Sequence, residues 1–336
     1  MKITSLIVVV ASVFSLNAHA ANLLNLGNYQ VTGTYALDRL NGTSGGISGL
    51  EASAVTYARD RNSLFYVGDE GTGVVEISLT GQTLGFMNFD WTGTGSTKHD
   101  TEGLAYLGGG KLVVSEERLY DAYSFDYLSA GTATLANNSV SISNATVGNS
   151  GIEGISYDAR NGGYVTVKQD SPLDILAGTL TFGSNLSGVA NMTQLFNPSL
   201  AGLTGFSDVQ TLSSVDALVG TTGENNLLLL SLSSRKLIEV NRSGTILSSL
   251  DLANVLPGNG IEGVTVDQHG NIYLVAEQVQ EVFAIGVPVA LQKSQLIVLS
   301  AVSAVPEPEA YAMFLAGLGF LGFMSRNGRK SKSYKR

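Results

Sequence analysis

The sequence predicts an all-β fold, a five-bladed β-propeller, and three observations carry the prediction. A phrase made of an acidic residue, a small residue and an alternating apolar stretch recurs five times in the 336 residues. It begins at Glu51, Glu102, Glu153, Asp208 and Glu262, so successive copies lie 51 to 55 residues apart, a period in the range of propeller blades. Apolar positions alternate with period two between Gly and Asn-Gly turns, which argues for strands against helices. The composition agrees, because 40 glycines with only 14% charged residues fit a turn-rich β protein. Six blades would require the two chain ends to build a further sheet.

Residues 1–20 contain Lys2, an apolar run over 6–16 and a small-x-small cleavage site at Ala18-His19-Ala20. That is the plan of a secretory signal peptide. The propeller is expected over 23–302, with a first strand at Tyr29–Ala36. Each repeated phrase opens one blade, and a second apolar strand follows it, at 64–67, 111–114, 164–167, 227–230 and 271–275. Copies one and four match without a gap over 64–81 and 227–244, which gives a third strand and a Gly turn before a fourth. A last strand is expected over 291–300. In a closed ring one terminal strand completes the blade begun by the other and removes the open edge, so Tyr29–Ala36 belongs beside the last blade.

Three parts end the chain: a linker over 303–309 containing Pro306-Glu307-Pro308, an apolar stretch over 310–324 and a basic tail over 325–336. The apolar stretch is short for a span of about 20 residues, and its positive flank is expected to stay cytoplasmic. This ending resembles the PEP-CTERM sorting signal. The resemblance implies export across the inner membrane and processing by an exosortase-type enzyme. It also implies residence in the cell envelope or an exopolysaccharide matrix, with transient or stable anchoring through the tail. The GxGxxG at 317–322 follows no strand and is not a dinucleotide site.

The absence of cysteine excludes disulfides, thiolate metal sites and a Cys nucleophile. The net charge of −9 understates the acidity of the body, because between the two basic ends lie 26 acidic and only 12 basic side chains. Such a body suits cations or basic partners and excludes nucleic acid, which needs a basic patch.

The first strand of a propeller blade lines the central channel, so the five repeated acids should converge at one mouth. Clustered carboxylates cannot all stay ionised unaided. Either a hard cation such as Ca²⁺ gathers them, or they remain protonated or tie blade to blade through backbone N–H groups. A second acidic layer follows the second strands: Asp69 and Glu70, Glu116 and Glu117, Asp170, and Glu277. Blade four breaks it with Leu232 and Ser233, leaving the mouth lopsided there.

Asp100-Thr-Glu102-Gly-Leu-Ala-Tyr, Val113-Val-Ser-Glu116-Glu117-Arg118, Gly151-Ile-Glu153-Gly-Ile and Gly260-Ile-Glu262-Gly-Val together resemble the SdiA-regulated, YjiK-like family. The resemblance implies a five-bladed exported propeller with a calcium site and no established reaction. It points first to Glu102, Glu153 and Glu262 as ligands, then to Asp208 and Glu51, which depart from the Glu-Gly form. Relatives described as phytase-like esterases share the Asp-x-Glu-Gly phrase and supply an alternative, metal-dependent phosphoester hydrolysis. Little else favours catalysis. Ser44 lies in a Gly/Ser-rich loop and not at a nucleophile elbow. His99 and His269 are too far apart in the chain for a zinc site. Arg118 and Lys168 are the candidate phosphate-holding cations. No catalytic residue is assigned, and the expected role is a calcium-binding, non-catalytic interaction module. Trp91, Tyr120, Tyr123 and Tyr127 are read as core aromatics before stacking surfaces.

Overall fold

The computed structural model describes residues 24–37, 51–69, 71–143, 148–169, 172–278 and 293–302. The expected signal peptide, Ser44, Glu70, Asp170, the Pro306-Glu307-Pro308 motif and the rest of the C-terminal signal lie outside the described residues.

Five antiparallel blades surround an axis. Blade one is β2 (Ala52–Ala58), β3 (Ser63–Gly68), β4 (Gly73–Ile77) and β5 (Thr83–Asp90). Blade two is β6 (Thr101–Gly108), β7 (Lys111–Glu116), β8 (Asp121–Asp126) and β10 (Ser139–Ser141). Between the last two of these, β9 (Thr132–Thr134) crosses over and pairs parallel with β5. Blade three is β11 (Ile152–Asp158), β12 (Gly163–Lys168), β13 (Asp174–Thr181) and β14 (Val189–Gln194). Blade four is β15 (Asp208–Thr211), β16 (Leu227–Ser231), β17 (Lys236–Val240) and β18 (Ile246–Asp251).

Blade five takes β19 (Ile261–Val266), β20 (Ile272–Ala276) and β21 (Gln295–Ala301) from the end of the chain and β1 (Tyr29–Ala36) from its beginning. The pairing of Tyr29 with Ala301 through Ala36 with Gln295 closes the ring as the sequence predicts. The final strand starts later than expected, at Gln295.

Among the described residues no helix is long and apolar enough to cross a membrane.

Hydrophobic burial lies between blades. Each of five apolar clusters joins one blade to its neighbour. This explains the unbroken run Leu227-Leu228-Leu229-Leu230. Leu227 and Leu229 face blade three, while Leu228 and Leu230 face blade five, so both faces of the strand are covered. Blade one behaves alike, with Leu64 and Tyr66 packed toward blade five and Phe65 and Val67 toward blade two. Trp91, Tyr120 and Tyr123 are buried, and Trp91 stacks on the His99 ring at 4.9 Å.

Around the axis the inner strands adjoin in the order β2, β6, β11, β15, β19 and back to β2. Two devices hold them close. Hydroxyls at matching places in blades one, three and five reach the next strand: Thr56 Oγ1 accepts from Tyr106 N at 3.0 Å, Ser156 Oγ from Thr211 N at 2.9 Å, and Thr265 Oγ1 from Tyr57 N at 3.1 Å. Glycines of the repeated phrase let backbones touch. A Cβ on Gly154 would lie 2.8 Å from Asp208 Cα, and one on Gly263 2.9 Å from Ala54 Cα.

Candidate metal centre

All five inner strands start at one mouth of the channel. In four of them the ladder to the second strand is broken by one extra residue, at Ser53, Glu102, Glu153 and Glu262. A bulge releases its residue from pairing and re-aims the side chain. Blade four has Ser207 in the corresponding place. Its hydroxyl accepts from Leu232 N at 2.9 Å, as the Ser53 hydroxyl accepts from Asp69 N at 3.1 Å.

The pairing therefore re-registers the repeat. Glu51 and Asp208 fall in line with the three glutamates when acids are matched to acids, but the ladder sets Ser53 and Ser207 there. Glu51 instead corresponds to Asp100, because Asp69 N donates to Glu51 O and Glu117 N to Asp100 O, each at 2.9 Å.

Glu102, Glu153 and Glu262 converge from three blades. Burial pushes the Glu102 carboxyl well above the usual carboxylate range, and the charges of Glu153, Glu262, Asp69 and Asp100 push it further. Glu153 is raised by burial, then by its hydrogen bond to Glu117 and the charges of Glu117 and Glu262. Glu262 is raised by burial, then by Glu277, Asp69 and Glu51. Glu277 is pushed up to about 7 by burial and by Glu51, although its hydrogen bond to Glu262 acts the other way. Apposed carboxyls of this kind share protons when no cation neutralises them.

Asp69, Asp100 and Glu102 form a compact group among the described residues, with one carboxylate oxygen from each lying within 4.8 Å of the others. Oxygens on opposite sides of a calcium ion, each at about 2.4 Å, are about 4.8 Å apart, so these three fit on one coordination sphere. The donors are all oxygen, which suits a hard cation and not zinc. Asp100 is buried and ion-paired to Arg118. Asp100 stands in the same Asp-x-Glu-Gly phrase as Glu102, and matching the repeats at one leading acid passes over it.

Other candidates are held elsewhere. Asp208 is buried, and its two oxygens accept from Val209 N and Val264 N, both at 2.7 Å, stitching blade four to blade five. Glu116 caps a loop by accepting from Ser96 Oγ and Leu119 N, both at 2.7 Å. Glu117 Oε1 accepts from Gly151 N at 3.1 Å while facing Glu153. Lys168 Nζ donates to the Pro172 carbonyl at 3.2 Å. His269 sits in the turn after β19, its backbone N–H held by Asp267 at 2.8 Å.

The family model described as SdiA-regulated matches residues 35–283, and the PEP-CTERM protein-sorting motif matches 304–330. The motif implies export, envelope-associated sorting and processing by an exosortase. Solved structures with a similar fold include the glutaminyl cyclase of Myxococcus xanthus, 12% identical, covering 82% of this chain and 97% of that one with a TM-score of 0.48. A luciferin-regenerating enzyme is 10% identical, covering 80% and 95%, with a TM-score of 0.45. Neither likeness carries an argument about chemistry.

Proposed function

The chain belongs to the SdiA-regulated family, and from that premise we propose that it is an exported calcium-binding propeller, a non-catalytic interaction module of the envelope or exopolysaccharide matrix. One observation carries the cation: Asp69, Asp100 and Glu102 offer three oxygens within 4.8 Å of one another, inside a mouth of raised carboxyl groups. Calcium bound there would supply the positive charge that lets neighbouring carboxyls ionise. Asp69, Asp100 and Glu102 would hold it, with Glu153, Glu262, Glu277 and Glu51 around them. The Arg118 guanidinium steadies Asp100 and is committed to that role. The matrix partner is drawn from the sorting motif alone.

Calcium titration by calorimetry, with melting measured in calcium and in chelator, tests this reading. Glu102→Gln should weaken binding by at least about tenfold, the loss of one charge-assisted ligand. An unchanged titration for Glu102→Gln, or melting indifferent to chelator, would overturn the reading. Calcium-dependent release of phosphate from p-nitrophenyl phosphate would replace the non-catalytic role with hydrolysis.

A further inference from the structure

The inner strands run from the acidic mouth to a second mouth of different chemistry. Four residues beyond the bulge positions on β2, β6 and β11 stand Tyr57, Tyr106 and Tyr157. At about 3.3 Å per residue they are about 13 Å from the carboxyl ring. They line a cavity of about 580 Å³ together with Ser213 and Ser214, inside the range of roughly 300–1,000 Å³ typical of ligand pockets.

Two of the rings are fixed before any ligand arrives. Tyr57 Oη donates to Asn62 Oδ1 at 3.2 Å, and Tyr106 stacks on Phe65 at 5.8 Å while its Oη accepts from Gly110 N at 2.8 Å. The one cation at the rim is already paired, and the one carboxylate is held by a backbone N–H. Arg59 pairs with Asp216 at 2.7 Å, and Asp60 accepts from Gly109 N at 3.1 Å. Apart from Asp60 the remaining lining is neutral: aromatic walls, and the hydroxyls of Tyr157, Ser213 and Ser214, for which no hydrogen bond is found among the described residues.

We propose that this second mouth is a binding site for a neutral saccharide of about two pyranose rings. An anionic ligand would meet the Asp60 carboxylate and find no unpaired cation, and an aliphatic one would leave three hydroxyls desolvated and unpaired. A pyranose presents C–H faces to tyrosine rings and equatorial hydroxyls to serines, matching both properties at once. The proposal deepens the matrix-partner half of the reading above and is independent of the cation half.

The test is calorimetry and saturation-transfer NMR on the full chain with cellobiose, maltose, gentiobiose and N,N′-diacetylchitobiose. Glucuronic acid and glucose 6-phosphate serve as anionic controls. At least one neutral disaccharide should bind with a Kd of about 1 mM or tighter, in calcium and in chelator alike. Tyr157→Ala removes a wall, and Ser213→Leu leaves the walls intact but fills the rim. Each should weaken binding by about tenfold without changing the calcium titration. Lack of saturation by about 20 mM for every neutral probe, unchanged binding in both variants, or preference for a charged sugar would overturn the site. Loss of binding in chelator would also overturn it, by moving the sugar to the acidic mouth.

Discussion

Removing the Asp208 carboxylate strands two buried backbone N–H groups, those of Val209 and Val264. Asp208→Ala should therefore cost about 3 kcal/mol of stability, the sum of two unsatisfied donors. Calcium affinity should stay as in wild type. Thermal melting with calorimetry checks both, and a calcium titration altered as strongly as that of Glu102→Gln would return Asp208 to the cation site. The same type of residue thus does two jobs a few ångströms apart, and the difference lies in backbone partners that sequence spacing does not record. Glu102, Glu153 and Glu262 were legible because each precedes a glycine whose missing Cβ is needed for strand contact. Asp208 ranks after them in the sequence because Asp208-Val departs from the Glu-Gly form, and the structure sets Ser207 in the bulge place. Asp100 was hidden by its nearness to Glu102.

Strands of two-sided burial were the most legible elements, because β3, β7, β12, β16 and β20 each read as an apolar run bounded by turns. The five-fold count and the partnership of β1 with β21 followed from the period and from the need to cover an edge. By contrast β9, only Thr132-Ala133-Thr134, has no period long enough to read, and its parallel pairing to the preceding blade depends on a crossover. The inner strands show what sets blade spacing. Gly154→Val places a branched side chain where even a Cβ would lie 2.9 Å from Val209 N. The expected loss is about 3 kcal/mol from overpacking, seen as a lowered urea midpoint. A midpoint equal to wild type would show that the contact of β11 with β15 is slack.

The molecule as a whole is a ring with two unlike openings, one lined by carboxyls and one by tyrosines. Its pH response is shared between the first and two carboxyls outside that ring, Asp121, pushed up to about 6 by burial, and Asp208, raised by burial. Glu277 is pushed up to about 7, and Glu102, Glu153 and Glu262 are raised in the same direction. A carboxyl raised on folding contributes stability that is fully present below its ordinary value and is lost as pH climbs through the folded one. In chelator the melting temperature should fall between about pH 5 and pH 8, and saturating calcium should flatten that decline. A melting temperature that rises over this interval in chelator would contradict the crowding of these groups.

The shared fifth blade adds a constraint in time. Among the described strands its outermost is the first in the sequence and that strand's neighbour is the last, Tyr29–Ala36 against Gln295–Ala301. A polypeptide threaded through a membrane pore from its N-terminus holds the latch but lacks the catch until almost the whole domain has crossed. For a chain exported in that way, locking would wait for the far side, and the strand order itself would keep the polypeptide slack enough to travel.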